Sequence, residues 1–382
     1  MMTYLLLCLN ALVGLAALEW AWAKFLRYRQ PIAEVNAAYP GLRRTDCPQW
    51  SKWRFYPGAL LAFLPRLVMF ASSLICLGFF LRVASVGQAE DKPISGLRKK
   101  VIHGAIALAN HCLLFCAAIR VKQVNLTPED VGHYQEYLGS PEVQARCQEE
   151  GDPRVPKRGP GPASTIISNH VSWGEICAFL SSSLHPAFLA REETKKAPFL
   201  NWSSYANQNV HVARGGTPAE REKVISQIHA RQESVEVEGK QYTPLVIFAE
   251  GTTTNGTLLM PFKRGAFQAM RTVIPVSVTY KVSGQVHPAF DTVQFLPHLI
   301  MLLCSFAPIT CTMTVMPEFT PNAHLLDSAK DSKGKEDWEI FADAIRDVIS
   351  RRGGISKNDE VSFADKHNYV TFMHGKKDSI EI

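Results

Sequence analysis

Four short stretches hold the residues whose types and spacing could do chemistry. The first is NHVSWGEI, residues 169–176, which follows the apolar run STIIS. His170 falls where a strand gives way to a helix start, and Glu175 comes five residues later. The first helical turn can fold that carboxylate back toward the imidazole. A carboxylate on one ring nitrogen fixes the tautomer and leaves the other nitrogen free to take a proton from a hydroxyl. Taken alone, a histidine in such a place is more often structural than catalytic. Its neighbours Asn169, Ser172 and Glu175 bring the two readings level.

The second stretch is VARGGT, residues 212–217, where Arg214 ends a strand on a glycine-rich turn. An arginine so placed suits an anionic group such as phosphate, though by itself it reads equally as a surface residue. The third is FAEGTTTNG, residues 248–256, continued by MPFKRGAF, residues 260–267. Glu250 is placed to bind a ligand hydroxyl or orient an amide, and Lys263 and Arg264 add positive charge. Asn255-Gly256 is a strong turn dipeptide, so a plain turn with solvated charges is the competing reading. The fourth, IPVSV at 274–278, is alone a core strand opening near a proline. The chain contains no GxSxG elbow, Walker loop, GxGxxG fingerprint or HExxH pair, so a serine lipase, a nucleotide site or a zinc hydrolase is unsupported and no metal is expected.

These stretches need elements to carry them. STIIS (164–168), 186–190, VHVA (210–213), LVIF (245–248), 273–280 and 311–316 read as strands, and 175–183, 196–205 and 218–233 as helices. Alternation of this kind predicts an α/β fold with a mostly parallel sheet flanked by helices. Ligands then sit at the carboxyl ends of strands, where the polar stretches fall. Residues 337–354 space Trp338, Phe341, Ile345 and Val348 along one helical face, a docking helix, and the tail beyond Gly354 reads as polar and loose.

Composition fits a folded protein beside a membrane. Hydrophobic residues make up 46% and charged residues 20%, which excludes global disorder, and the net charge of +6 is too modest to argue for nucleic acid. Nine cysteines without a CxxC give neither a disulfide framework nor zinc spacing. Three apolar stretches, about 3–22, 57–81 and 101–119, form an N-terminal helical membrane region over residues 1–120. The first is long enough to span, and the basic loop after it, with Lys24, Arg27, Arg29, Arg43, Arg44, Lys52 and Arg54, places that loop in the cytosol. The other two either span or form a hairpin dipping into one leaflet, which Arg66 near the middle of the second favours. Residues 121–162 read as a linker, 163–320 as the catalytic domain and 321–382 as a C-terminal helix and polar tail. With that domain in the cytosol, the sequons at Asn125, Asn201 and Asn255 are expected to stay unglycosylated.

Taken in order, the four stretches resemble the blocks of the glycerolipid acyltransferase family, and FAEGTTTNG with FKRGAF is most similar to its lysophosphatidylcholine and lysophosphatidylethanolamine acyltransferase branch. The likeness covers roughly residues 110–320. Three positions depart from the family pattern: Glu175 stands for an aspartate, Ala249 for a proline, and Gln208 for the glycine six residues before Arg214. The resemblance implies an acyl-CoA:lysophospholipid acyltransferase, with acyl-CoA as co-substrate and no other cofactor, at the endoplasmic reticulum membrane. It implies His170 as general base, Glu175 as its orienter, Arg214 on the acceptor phosphate, and Glu250, Gly251 and Thr252 along the acceptor backbone. From charge alone, Lys263 and Arg264 are expected to meet the phosphates of coenzyme A. A CoA-independent phospholipid transacylase and a catalytically inactive lipid-binding member are the alternatives.

Overall fold

A computed structural model describes residues 1–29, 37–89, 92–196, 200–212, 217–283, 286–289, 292–328 and 334–375. The chain opens with helix α1 (Met2–Arg29), then α2 (Tyr56–Leu61), α3 (Phe63–Ala84) and α4 (Gly96–Cys116). A seven-stranded sheet follows, made of β1 (Ile119–Asn125), β2 (Thr165–Ser168), β3 (Ala187–Arg191), β4 (Val210–Val212), β5 (Leu245–Phe248), β7 (Val273–Val282) and β8 (Ile309–Val315). The short strand β6 (Leu258–Leu259) pairs separately with β9 (Ser356–Lys357). The sheet order is β1-β8-β7-β2-β5-β3-β4, and every neighbouring pair is parallel except β7 with β8. The α/β expectation is met. All four residues of β2 are buried, as a central strand covered by helices on both faces requires.

The register sets up the site. Ser168, the last residue of β2, pairs with Phe248, the last of β5, and with Val276 of β7. The stretches beginning at Asn169 and Ala249 therefore leave the sheet side by side, and β7 runs on past them to Val282. Helices α5 (Gln135–Leu138) and α6 (Pro141–Glu150) precede β2, α7 (Trp173–Ser181) follows it, and the helix Pro218–Glu236 precedes β5.

Several boundaries differ from the sequence reading. Residues 121–162 are no linker: β1 is an edge strand of the sheet, paired parallel to β8 along its whole length, and Pro141–Glu150 is a helix capped by Ser140. Their polarity reflects edge and surface positions, which need few apolar side chains. The apolar stretch 57–81 is two helices that break at Ala62, ahead of Pro65. The tail beyond Gly354 forms β9 and a helix, Phe363–Met373, on which Lys366 and Tyr369 are buried.

The helices α1 and α3 are long and apolar enough to cross a membrane by length and composition. Yet α3 and α4 form a hairpin laid along the α/β domain. At its tip, Tyr205 Oη donates to the Gln88 carbonyl at 2.6 Å, and Gln208 Nε2 donates to that of Lys92 at 2.8 Å. At its root, Arg66 Nη1 donates to the Leu303 carbonyl at 3.0 Å and to that of Ser305. A hairpin tied to the domain at both ends cannot carry its tip to the far side of a bilayer.

Candidate active site

Ser172 and Glu175 are three residues apart, the spacing of a capping box. Ser172 accepts from Gly174 N at 3.0 Å, while Glu175 turns back and takes Ser172 N at 2.7 Å and Val171 N at 2.6 Å on Oε1. The same oxygen lies 2.6 Å from His170 Nδ1. Glu175 is fully buried, and its Oε2 accepts the hydroxyl of Tyr280 at 2.7 Å. A carboxylate holding four donors sits in one position. Its contact with Nδ1 makes that nitrogen the N–H donor and leaves Nε2 as the open base. The imidazole stacks on Phe248, with centroids 3.9 Å apart and planes 10° from parallel, and stays 14% exposed.

Two residues complete this arrangement: Asn169, which had no role of its own in the sequence reading, and Tyr280, which that reading passed over. Asn169 prolongs β2 past its end, its side chain donating to the Val278 carbonyl at 2.9 Å and accepting from Val278 N at 2.8 Å. Tyr280 reaches Glu175 because β7 continues beyond β2. Burial and the neighbouring Cys311 and Glu175 hold its hydroxyl well above the ordinary phenol range, so it remains a donor. Gly174 makes room: a Cβ there would lie 3.0 Å from the Tyr280 oxygen. Alternation along β7 puts Tyr280 on the face of Val276 and Val278, the signal that could have found it.

The loop after β5 is braced from below. Glu250 is buried, and its two oxygens accept backbone amides, His170 N at 3.0 Å and Met260 N at 3.0 Å. Burial raises its carboxyl to about 7 against the pull of those two bonds. Glu250 thus clamps the loop carrying His170 to the loop carrying Met260, with one backbone amide on each oxygen. Gly251 adopts φ +71°, and a Cβ on it would meet the end of the Lys263 side chain, so glycine is favoured there. Thr252 is buried beside it. Lys263 approaches Gly251 and the ring of Phe363, 5.0 Å from its centroid. Arg264 lies near His229 on the helix before β5. Lys366 donates to the Thr253 carbonyl and, at 2.5 Å, to its hydroxyl, tying the last helix to the same loop. Arg214 lies outside the described residues.

Gln208 occupies a left-handed backbone conformation, φ +56°, which glycine adopts freely. Its side chain offsets that strain by bonding the hairpin tip at Lys92 and Ile94. Asn255 is buried with its amide on the carbonyls of Pro40 and Arg43, 2.8 and 2.9 Å away, which leaves no room for a glycan. Behind Tyr280, the ring of His287 lies 5.8 Å away. Its backbone N–H donates to Asp46, a buried carboxylate paired with Arg44 and accepting from Trp50 Nε1 at 2.9 Å. Trp173, at the start of α7, meets Phe70 of α3 edge-on at 6.1 Å, so the apolar hairpin abuts the head of the helix that carries Glu175. No cluster of three or more metal-ligating side chains occurs among the described residues.

The histidine, its buried carboxylate and the braced glycine loop fall inside a recognised sequence domain. The family model Acyltransferase matches residues 148–281. This segment is similar to that family's domain. The chain is 28% identical over 216 residues to the lysophospholipid acyltransferase LPEAT1 of Arabidopsis thaliana, covering 56% of this chain and 51% of that protein. It is 27% identical over 303 residues to the lysophospholipid acyltransferase LPCAT4 of Homo sapiens, covering 78% and 49%. It is 32% identical over 129 residues to the glycerol-3-phosphate acyltransferase 4 of Bos taurus, covering 33% and 25%. The chain thus spans about half or less of the length of these relatives.

Proposed function

We propose that this protein transfers an acyl group from acyl-CoA to the free hydroxyl of a lysophospholipid, with His170 as general base and Glu175 as the group that orients it. The observation that carries this reading is the 2.6 Å contact between His170 Nδ1 and a buried, four-donor Glu175, with the outer edge of the imidazole open. Nε2 removes the proton from the acceptor hydroxyl as its oxygen attacks the thioester carbonyl. The tetrahedral intermediate collapses with loss of the coenzyme A thiolate, which takes the proton back from the imidazolium. Glu175 steadies the positive ring that forms between these events. Replacing aspartate with glutamate suits this role, because the longer side chain lets one carboxylate cap α7 and hold Nδ1 together.

Arg214 is assigned the acceptor phosphate, and Gly251 and Thr252 the path of the acceptor backbone. Lys263 is assigned a phosphate of coenzyme A, with Arg264 further along the same segment. The lysophospholipid acceptor is favoured by the names of the two relatives with the longer alignments. Two apolar helices and a hairpin beside Trp173 support a site that opens at a bilayer, and we place it on the cytosolic face of the endoplasmic reticulum membrane.

The test is an acyl transfer assay on the purified full chain in detergent, with labelled acyl-CoA, a panel of lysophospholipids and glycerol 3-phosphate, beside His170→Ala. Transfer to a lysophospholipid that disappears in His170→Ala supports reaction and base together. Transfer only to glycerol 3-phosphate replaces the acceptor. Transfer that survives in His170→Ala refutes the mechanism.

A further inference from the structure

The root of the α3–α4 hairpin holds a second amphipathic cleft, away from His170. It has a volume of about 390 Å³ and lies between the start of α3, the end of α4, the start of β1 and the segment 306–308. Two arginines enter it, Arg66 and Arg120, and Leu114, Phe115 and Phe306 form apolar walls; none of its lining residues is acidic. Arg66 uses Nη1 on the carbonyls of Leu303 and Ser305, and its guanidinium lies 4.9 Å from the Phe306 centroid. Its other donors remain available, and Arg120 is exposed and makes no ion pair or hydrogen bond through its side chain among the described residues.

The surface leading to this cleft is apolar. On α4, Leu97, Val101, Leu108 and Phe115 are exposed at spacings of four and seven residues, which is one helical face. The opposite face packs on α3 and α7, so this row is the outer surface of the hairpin. It runs along the hairpin and ends at the cleft. Gly104 and His111 lie on the same face, and Arg98 and Lys100 flank Leu97 at the other end, but the row meets a cleft only where Arg66 and Arg120 stand, which suits an anionic lipid with its phosphate there and its chain along the row.

We propose that this cleft binds an anionic phospholipid of the bilayer. Its phosphate sits between Arg66 and Arg120, and one acyl chain lies along Leu108 and Phe115. Strand register separates it from the catalytic histidine. Ile119 pairs with Ile309, which pairs with Val282 at the far end of β7, and β1 is three strands from β2. A lipid there fixes the domain at the depth where hydrocarbon meets headgroups and leaves the transfer site free.

The test is native mass spectrometry of the detergent-purified full chain titrated with dioleoylphosphatidylglycerol or dioleoylphosphatidylcholine. Arg120→Gln is the informative variant, since that side chain supports no other part of the fold, whereas Arg66 anchors the carbonyls after residue 302. The wild type is expected to retain the anionic lipid in preference. Arg120→Gln is expected to bind it about fivefold more weakly with the neutral lipid unchanged. Phe115→Ala, which shortens the apolar wall, should weaken both lipids. Equal retention of the anionic lipid by wild type and Arg120→Gln, or an equal loss of both lipids in Arg120→Gln, overturns the proposal.

Discussion

Glu175→Gln isolates what the buried charge contributes. The carboxamide has nearly the same shape, so its oxygen can keep the three donors now on Oε1, and the Tyr280 hydroxyl can rotate to accept from the new NH₂. Geometry is retained and the negative charge is lost. That charge faces the imidazolium formed during transfer, with charge centres about 4 Å apart, worth about 4 kcal/mol at an effective dielectric of about 20. The acyl-transfer rate should therefore fall about 10³-fold with KM little changed. Stability should drop by about 1–2 kcal/mol, because charge-assisted bonds become neutral ones. The assay is transfer of labelled acyl groups by wild type, Glu175→Gln, His170→Ala and the double variant. If Glu175 acts through His170, the double variant is no slower than His170→Ala alone. Rate losses that multiply in the double variant would show that Glu175 acts independently of the histidine and would refute the dyad.

Other perturbations follow from the same contacts. Burial pushes the His287 imidazole down to about 4, and its Nδ1 accepts from Ala289 N at 3.1 Å, so its neutral form stabilises the fold above about pH 6.5 and that stability is lost as pH falls toward 4; His287→Gln should flatten this acid limb in pH-dependent melting. Lys366→Met removes both bonds to Thr253 and should cost about 2–3 kcal/mol in thermal unfolding, with a parallel loss of transfer rate. Gly251→Ala forces a Cβ into a left-handed position against Lys263 and should cost about 1–2 kcal/mol, with weaker acceptor use in kinetics. Gln208→Gly relieves about 1 kcal/mol of backbone strain but frees the hairpin tip, so proteolysis between residues 85 and 95 should speed up although the melting temperature changes little.

The sequence alone determined whatever depends on local spacing. Ser172 and Glu175, three residues apart at a helix start, specify a capping box, and the fifth position after His170 puts the same carboxylate within reach of the ring. Apolar runs ending in polar, glycine-rich stretches specify parallel strands with a site at their carboxyl ends, and both the α/β fold and the family resemblance could be read from them. Tertiary structure decided whatever depends on strand pairing and on distant segments. Tyr280 reaches Glu175 across 105 residues only because β7 outruns β2. The carboxylate of Glu250 points into the backbone of His170 and Met260, and no property of FAEGTTTNG distinguishes that orientation from one facing a ligand. Lys366 looked like a solvated tail residue, because its partner Thr253 lies 113 residues away. The polar stretch 121–162 could not be told from a linker, since an edge strand needs little apolar content and its partner, β8, comes almost two hundred residues later. Local periodicity constrains a residue's own turn or strand; which remote backbone it meets is fixed only when the whole sheet and its covering helices close.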